Sequence, residues 1–297
     1  MIALQGAMTA LATPFDASGE VDRAALAALV RWQVASGIQG LVPCGTTGEG
    51  ATLELEESSR VIETVVEAAG GKVPVVAGCG SNDTRRTVES ARRAARSGAD
   101  ALLVVTPYYN KPNRSGMLAH FRVVAEATER PVVVYNVPGR TGQNLGAELI
   151  LRLAEIPGIA GVKEASGNLE QIAQIIEGRP RGFAVLSGDD ALALATIAIG
   201  GDGLISVVSN EAPSETARMI AAAAEGDLPR ARELHYRLLP LMRANFVETN
   251  PVPVKVALAL LGRCREDLRA PLGPPEPSTR EAIRSALQKA GLLGESR

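Results

Sequence analysis

The sequence predicts an α/β fold, a (β/α)8 TIM barrel with a C-terminal helical appendage. Three observations carry this: eight short β-rich runs, the continuous apolar character of most of them, and helical spacing in the stretches between. Parallel strands covered on both faces read as unbroken apolar runs rather than as alternating ones. Along the chain the runs fall at 8–15, 40–44, 73–77, 101–106, 131–136, 159–163, 184–187 and 203–208. Leu26, Leu29 and Val30 place a helix after the first run. Val61, Ile62, Val65 and Val66 place one after the second, and Met117, Phe121 and Val124 one after the fourth, each set sharing a helix face. Eight βα units in about 225 residues suit a closed barrel, whose functional groups gather at the carboxyl ends of the strands. A doubly wound sheet is the alternative that the same alternation permits. Past Gly226 the strand signal stops, and Ala231, Leu234, Leu238 and Leu241 keep a helical seam. Two more helical stretches fall near 252–262 and 278–292, separated by an extended connection that Pro271, Pro274, Pro275 and Pro277 impose. The expected domains are a barrel over 1–225 and a helical domain over 226–297.

With 46% hydrophobic residues among 297, the chain can bury a large core. Its 31 Lys and Arg against 33 Asp and Glu leave no basic excess to attract nucleic acid or an acidic membrane surface, so the expected partner is a small molecule. The first residues, Met1 to Gly6, carry neither the basic segment nor the long apolar run of a secretory signal. No stretch reaches the ~18 uninterrupted apolar residues of a membrane helix, and a cytoplasmic location is expected. Cys44, Cys79 and Cys264 are scattered and fit reduced thiols. With only His120 and His235 besides, a His- or Cys-based metal site is poorly supplied, and neither metal nor cofactor is expected.

The lysines are few enough to search by elimination. Lys72 precedes a strand, Lys111 follows the fourth, and Lys255 and Lys289 fall in the appendage, whereas Lys163 sits inside the apolar run Ile159-Ala160-Gly161-Val162-Lys163-Glu164. Burial there disfavours an ammonium and leaves a neutral amine able to attack a carbonyl. Pairing with a carboxylate such as Glu164 is the competing structural role. Of four tyrosines, Tyr108, Tyr109 and Tyr135 fall at strand ends, where a hydroxyl can relay protons for imine chemistry.

Gly45-Thr46-Thr47-Gly48-Glu49 exposes hydroxyls and backbone N–H groups that can grip a carboxylate, and it is not a Walker A loop. Gly78-Cys79-Gly80 lacks the third glycine of a dinucleotide fingerprint. Arg140 after the fifth strand is either a carboxylate clamp or a surface arginine. Asp189 and Asp190 read as N-caps to the next helix before they read as a metal pair.

Taken in order, the Gly45–Glu49 motif, Thr106-Pro107-Tyr108-Tyr109-Asn110, Tyr135-Asn136-Val137-Pro138-Gly139-Arg140-Thr141-Gly142, Gly161-Val162-Lys163-Glu164-Ala165-Ser166-Gly167-Asn168 and Ser187-Gly188-Asp189-Asp190 resemble the dihydrodipicolinate synthase family. The likeness runs along essentially the whole chain, and Asn250-Pro251-Val252-Pro253-Val254-Lys255 carries it into the appendage. The resemblance implies a lyase without cofactor in lysine and diaminopimelate biosynthesis. Lys163 would form an imine with pyruvate, whose enamine attacks L-aspartate 4-semialdehyde to give 4-hydroxy-tetrahydrodipicolinate. Tyr135 would donate and accept protons, and Thr46 and Tyr109 would complete its relay, Tyr109 reaching in from a neighbouring subunit. Thr47 and Ile205 would contact pyruvate, Gly188 would lie beside the substrate, and Arg140 would hold the aldehyde's carboxylate. The implied assembly is a homotetramer, a dimer of tight dimers.

The superfamily also contains N-acetylneuraminate lyase and sugar-acid aldolases, which share the lysine and tyrosine; Arg140 favours the short amino-aldehyde acid over them. A non-catalytic ligand-binding barrel is a further alternative. A regulatory region departs from the family pattern. Where lysine-inhibited members use a histidine and a glutamate, this chain has Ser58 and Arg86, while Asn82 and Tyr108 are kept. An arginine repels the inhibitor's ammonium, so lysine inhibition is expected to be weak or absent.

Overall fold

The computed structural model describes residues 2–294; Met1 and 295–297, the outer ends of the two expected domains, lie outside them. Each apolar run contributes a parallel strand, because the following helix covers one face and the barrel interior covers the other. The strands are β1 (Gly6–Ala10), β2 (Gly40–Val42), β3 (Val76–Gly78), β4 (Ala101–Val105), β5 (Val132–Asn136), β6 (Ile159–Glu164), β7 (Ala184–Ser187) and β8 (Gly203–Ser206). They pair in the order β2-β1-β8-β7-β6-β5-β4-β3. The two ends of that order meet, since Leu41 bridges Val75 in parallel and the Gly78 N–H donates to the Pro43 carbonyl at 2.9 Å. The doubly wound alternative is thereby excluded.

Helices α1 (Arg23–Ala35), α2 (Leu55–Ala69), α3 (Thr84–Arg96), α4 (Arg114–Glu126), the single turn α5 (Pro138–Thr141), α6 (Gly146–Ala154), α7 (Leu169–Gly178), α8 (Ala193–Ala198) and α9 (Pro213–Ala224) surround the sheet. After them come α10 (Leu228–Ala244), α11 (Val252–Leu260) and α12 (Pro277–Lys289). Side chains of Asp22, Asp83, Asn113, Asn168 and Asp227 accept from backbone N–H groups in the first turns of α1, α3, α4, α7 and α10. Each cap satisfies donors that the helix itself leaves unpaired. Among the described residues no helix is long and apolar enough to cross a membrane.

Strand alternation sorts the core into two layers. Met8, Val42, Leu103, Val133, Tyr135, Leu186 and Ile205 fill the barrel interior, while Leu41, Leu102, Val134, Val162 and Val185 pack outward against the helices. Two expected strands are placed differently. The first run leaves the sheet after the Leu11 N–H donates to Val42, and Phe15 instead bridges Val21 in an antiparallel turn. The next donor, the Ala12 N–H, goes to Asn210 Oδ1 at 3.0 Å instead of to a neighbouring strand. Likewise the run expected at 73–77 becomes a strand only from Val76, two residues beyond Pro74.

Candidate active site

Lys163 and Tyr135 are register partners on β6 and β5, so both side chains point into the barrel. Lys163 is 5% exposed and its Nζ lies 4.3 Å from the centroid of the Tyr135 ring. Glu164, one residue on, faces the other way. Its Oε1 accepts the Ser166 N–H at 2.7 Å, and its Oε2 accepts from Asn136 Nδ2 at 2.9 Å and Gln171 Nε2 at 3.2 Å. The pairing with Glu164 that the sequence left open is therefore not made. The period of two separates the groups onto opposite faces. Gly188, just past β7, lets the chain pass close to the lysine: a Cβ there would lie 3.1 Å from Lys163 Cε and 2.7 Å from the Ala165 Cβ. Ile205, on β8, is fully buried in the interior layer.

The chain leaving β2 forms the Gly45–Glu49 turn. Thr47 is buried and its Oγ1 accepts from Asn250 Nδ2 at 2.9 Å, a bond between residues 203 positions apart. The Gly48 carbonyl accepts from Thr13 Oγ1 at 2.7 Å, pinning the turn to the chain that leaves β1. Thr46, Tyr135, Arg140 and Tyr108 line one cleft of about 410 Å3, which also reaches Ser58 on α2 and Arg86 on α3. Arg140, in α5, is anchored by donating from Nη2 to the Asn250 carbonyl at 3.2 Å. A guanidinium held at the barrel mouth in this way can pair with a carboxylate.

Two expected residues stand apart. Tyr109 is 89% exposed with a φ of 71°, and it does not line the cleft that Tyr135 lines. Asn82 touches the same loop through its carbonyl, which accepts from Asn110 Nδ2 at 2.8 Å. Asp189 does cap the turn after β7, accepting from the Ala191 N–H at 2.8 Å. Asp190 does not act as a cap. It is buried, and its carboxylate accepts from Ser206 Oγ at 2.6 Å and from the N–H groups of Val207 and Val208 at 3.0 Å, tying β7 to the end of β8. Burial pushes its carboxyl up to about 6, against the pull of those hydrogen bonds. Burial also pushes the Cys44 and Cys79 thiols, in the cleft wall, up to about 12.

Sequence reasoning also set Lys255 aside. It is fully buried in an ion pair with Glu49, and among the described residues it is the one lysine so paired. Its apolar neighbours Val252, Val254, Val256 and Leu258 were the available signal.

A closed parallel barrel that presents an unpaired buried lysine against a tyrosine, with an arginine at the mouth, has the architecture of a lyase-type barrel enzyme. The family model of the dihydrodipicolinate synthetase family matches residues 3–290. The 4-hydroxy-tetrahydrodipicolinate synthase of Maridesulfovibrio salexigens is 50% identical over 290 residues, covering 97% of this chain and 99% of that one. The same enzyme of Koribacter versatilis is 51% identical over 291 residues, covering 98% and 97%. Among solved structures, the chloride-inhibited dihydrodipicolinate synthase of Acinetobacter baumannii, complexed with pyruvate, superposes with a TM-score of 0.96 at 41% identity, covering 98% of this chain and 100% of that one. The chain belongs to the dihydrodipicolinate synthetase family.

Proposed function

We propose that the chain acts as a 4-hydroxy-tetrahydrodipicolinate synthase, joining pyruvate to L-aspartate 4-semialdehyde through an imine on Lys163. The observation that carries this reading is the Lys163 amine itself, buried, turned into the barrel against Tyr135 and left unpaired by Glu164. An amine so placed and free of a carboxylate partner can add to a carbonyl carbon. The amine adds to C2 of pyruvate, water leaves, and loss of a C3 proton yields the enamine. C3 then bonds to the aldehyde carbon, and the amino group of the second substrate displaces the lysine nitrogen as the ring closes.

Tyr135 passes the protons, with Thr46 and, from a neighbouring subunit, Tyr109; the outward reach of Tyr109 supports that donation. Thr47, Gly188 and Ile205 hold pyruvate, and Arg140 holds the carboxylate of the semialdehyde. The names of the two relatives and the pyruvate complex of the Acinetobacter enzyme support both the reaction and its first substrate. The same reading takes 1–225 as the catalytic barrel, 226–297 as a helical domain, a homotetramer of tight dimers as the assembly and the cytoplasm as its place. Ser58, Asn82, Arg86 and Tyr108 form a degenerate regulatory site. Arg86 lines its cleft and repels a lysine ammonium.

Borohydride with pyruvate should trap one adduct, on Lys163, and the trapped enzyme should be dead. The native enzyme should condense aspartate semialdehyde and leave sialic and keto-sugar acids uncleaved, with no inhibition by sub-millimolar lysine. An adduct on another lysine, or cleavage of the sugar acids in place of condensation, would overturn the reading.

A further inference from the structure

One buried ionic cluster lies outside the reaction as described. The ammonium of Lys255, in α11, sits 2.5 Å from Glu49 Oε1, donates to the Asp267 carbonyl at 2.7 Å and lies 4.0 Å from the centroid of the Phe15 ring. Burial draws that ammonium below the usual lysine range, and the Glu49 carboxylate works against the shift. Glu49 Oε2 accepts the Arg269 N–H at 3.0 Å. The Arg269 guanidinium in turn holds Glu57 at 2.8 and 2.6 Å and the carbonyls of Thr52 at 3.1 Å and Gly19 at 2.9 Å.

Glu49 closes the turn that carries Thr46 and Thr47, and it does so with a φ of 53°, a left-handed conformation that side chains avoid. Cys44, just before the turn, has a φ of 57°. The surroundings offer no slack. A Cβ on Gly50 would lie 2.1 Å from the Cys44 carbonyl oxygen, and one on Gly78 would lie 2.3 Å from the same atom. Such a conformation persists where its surroundings over-determine it. The groups that hold Glu49 come from Lys255 and Arg269, more than 200 residues along the chain.

We propose that Lys255 and Glu49 are positioning residues for the condensation. Their ion pair, made from beyond the eight strands, fixes the turn that presents Thr46 to the proton relay and Thr47 to the carboxylate of pyruvate. The inference rests on the imine reading of Lys163. Lys255 is itself no second imine-forming amine, because its nitrogen is enclosed by Glu49, Asp267 and Phe15. Arg140 bonds to neither Lys255 nor Glu49; its guanidinium is anchored on the carbonyl of Asn250, whose side chain bonds Thr47, so the pair reaches the aldehyde's grip only at second hand.

The test neutralises the pair with a near-isosteric double variant, Glu49→Gln with Lys255→Met, so that no lone charge is left buried. Borohydride trapping of pyruvate on Lys163 counts the competent sites, and rates are expressed per trapped site, which removes unfolded protein from the comparison. The expected result is a kcat lowered roughly ten- to hundredfold, as for a catalytic group displaced by about an ångström, a raised KM for pyruvate and a smaller rise in the KM for the semialdehyde. If the double variant traps nothing, Glu49→Asp, which keeps both charges and shortens the reach of the carboxylate, carries the same comparison. Wild-type kcat and KM per trapped site would overturn the proposal, and so would an equal rise in both KM values, the mark of general loosening. A wild-type enzyme that traps no pyruvate on Lys163 overturns the imine reading and this inference with it. Trapping without the kinetic shifts overturns the inference alone.

Discussion

A methyl group added at Gly188 would arrive 2.7 Å from the Ala165 Cβ, 3.1 Å from Lys163 Cε and 3.2 Å from the Glu164 carbonyl oxygen. Carbon atoms in contact prefer about 3.5–4.0 Å, so the first approach is short by about an ångström and the second by about half that. Gly188 is not among the residues with positive φ, so the backbone accepts alanine and the crowding is the whole effect. Relief requires the ends of β6 and β7 to part or the lysine side chain to swing. Overpacking of this kind costs about 1–3 kcal/mol. A reactive nitrogen moved by up to about an ångström loses roughly a hundredfold in rate. Gly188→Ala should therefore lower the urea midpoint and slow both pyruvate adduct formation and turnover. Adding Ala165→Gly removes the nearest clash and leaves the Lys163 contact, so the double variant should regain most of the stability and little of the rate. Adduct formation at the wild-type rate in Gly188→Ala would refute the reasoning, as would full recovery of rate in the double variant.

Asp190 gives a pH signature. Its carboxyl is raised to about 6 by burial, so the folded protein keeps a proton that the unfolded chain has already lost. The stability it contributes is full below pH ~4 and is lost as pH rises towards ~6. Asp190→Asn cannot ionise, and its stability relative to wild type should rise by about 3 kcal/mol between pH 4 and 7 in urea titrations; a constant difference would refute this. Lys255→Met alone leaves the Glu49 charge buried without its partner and should cost about 3–5 kcal/mol, more than the double variant with Glu49→Gln. Equal denaturation midpoints would contradict that. Cys44 and Cys79, buried and pushed up to about 12, should resist iodoacetamide at pH 8 until urea unfolds the chain, which peptide mapping would check.

The barrel was legible because its signal is local. An apolar run followed by a helical stripe specifies a covered parallel strand whatever lies elsewhere, and all eight runs contribute one. The misplaced edges, at β1 and β3, fall where backbone donors leave the ladder for distant side chains, the Ala12 N–H for Asn210 and the Val75 N–H for Asp100, which an apolar tally ignores. Lys163 was legible for the same reason: one lysine in an apolar run is conspicuous. Its orientation was not, because the choice between the barrel interior and Glu164 depends on which face the register turns inward.

The remaining site residues depend on contacts that no window along the chain contains. Asn250 meets Thr47 across 203 positions, and Lys255 reaches Glu49 from a helix whose pattern speaks only of burial. The sequence by itself determined the alternating architecture, the single lysine inside an apolar strand and the motifs around it, because periodicity and residue chemistry are written in neighbouring positions. The tertiary structure alone decided that Lys163 faces Tyr135, that Asp190 binds the end of β8 and that Glu49 is held by Lys255. Those are matters of which distant backbone a buried polar group finds for a partner, and closing the barrel is what brings the partners together.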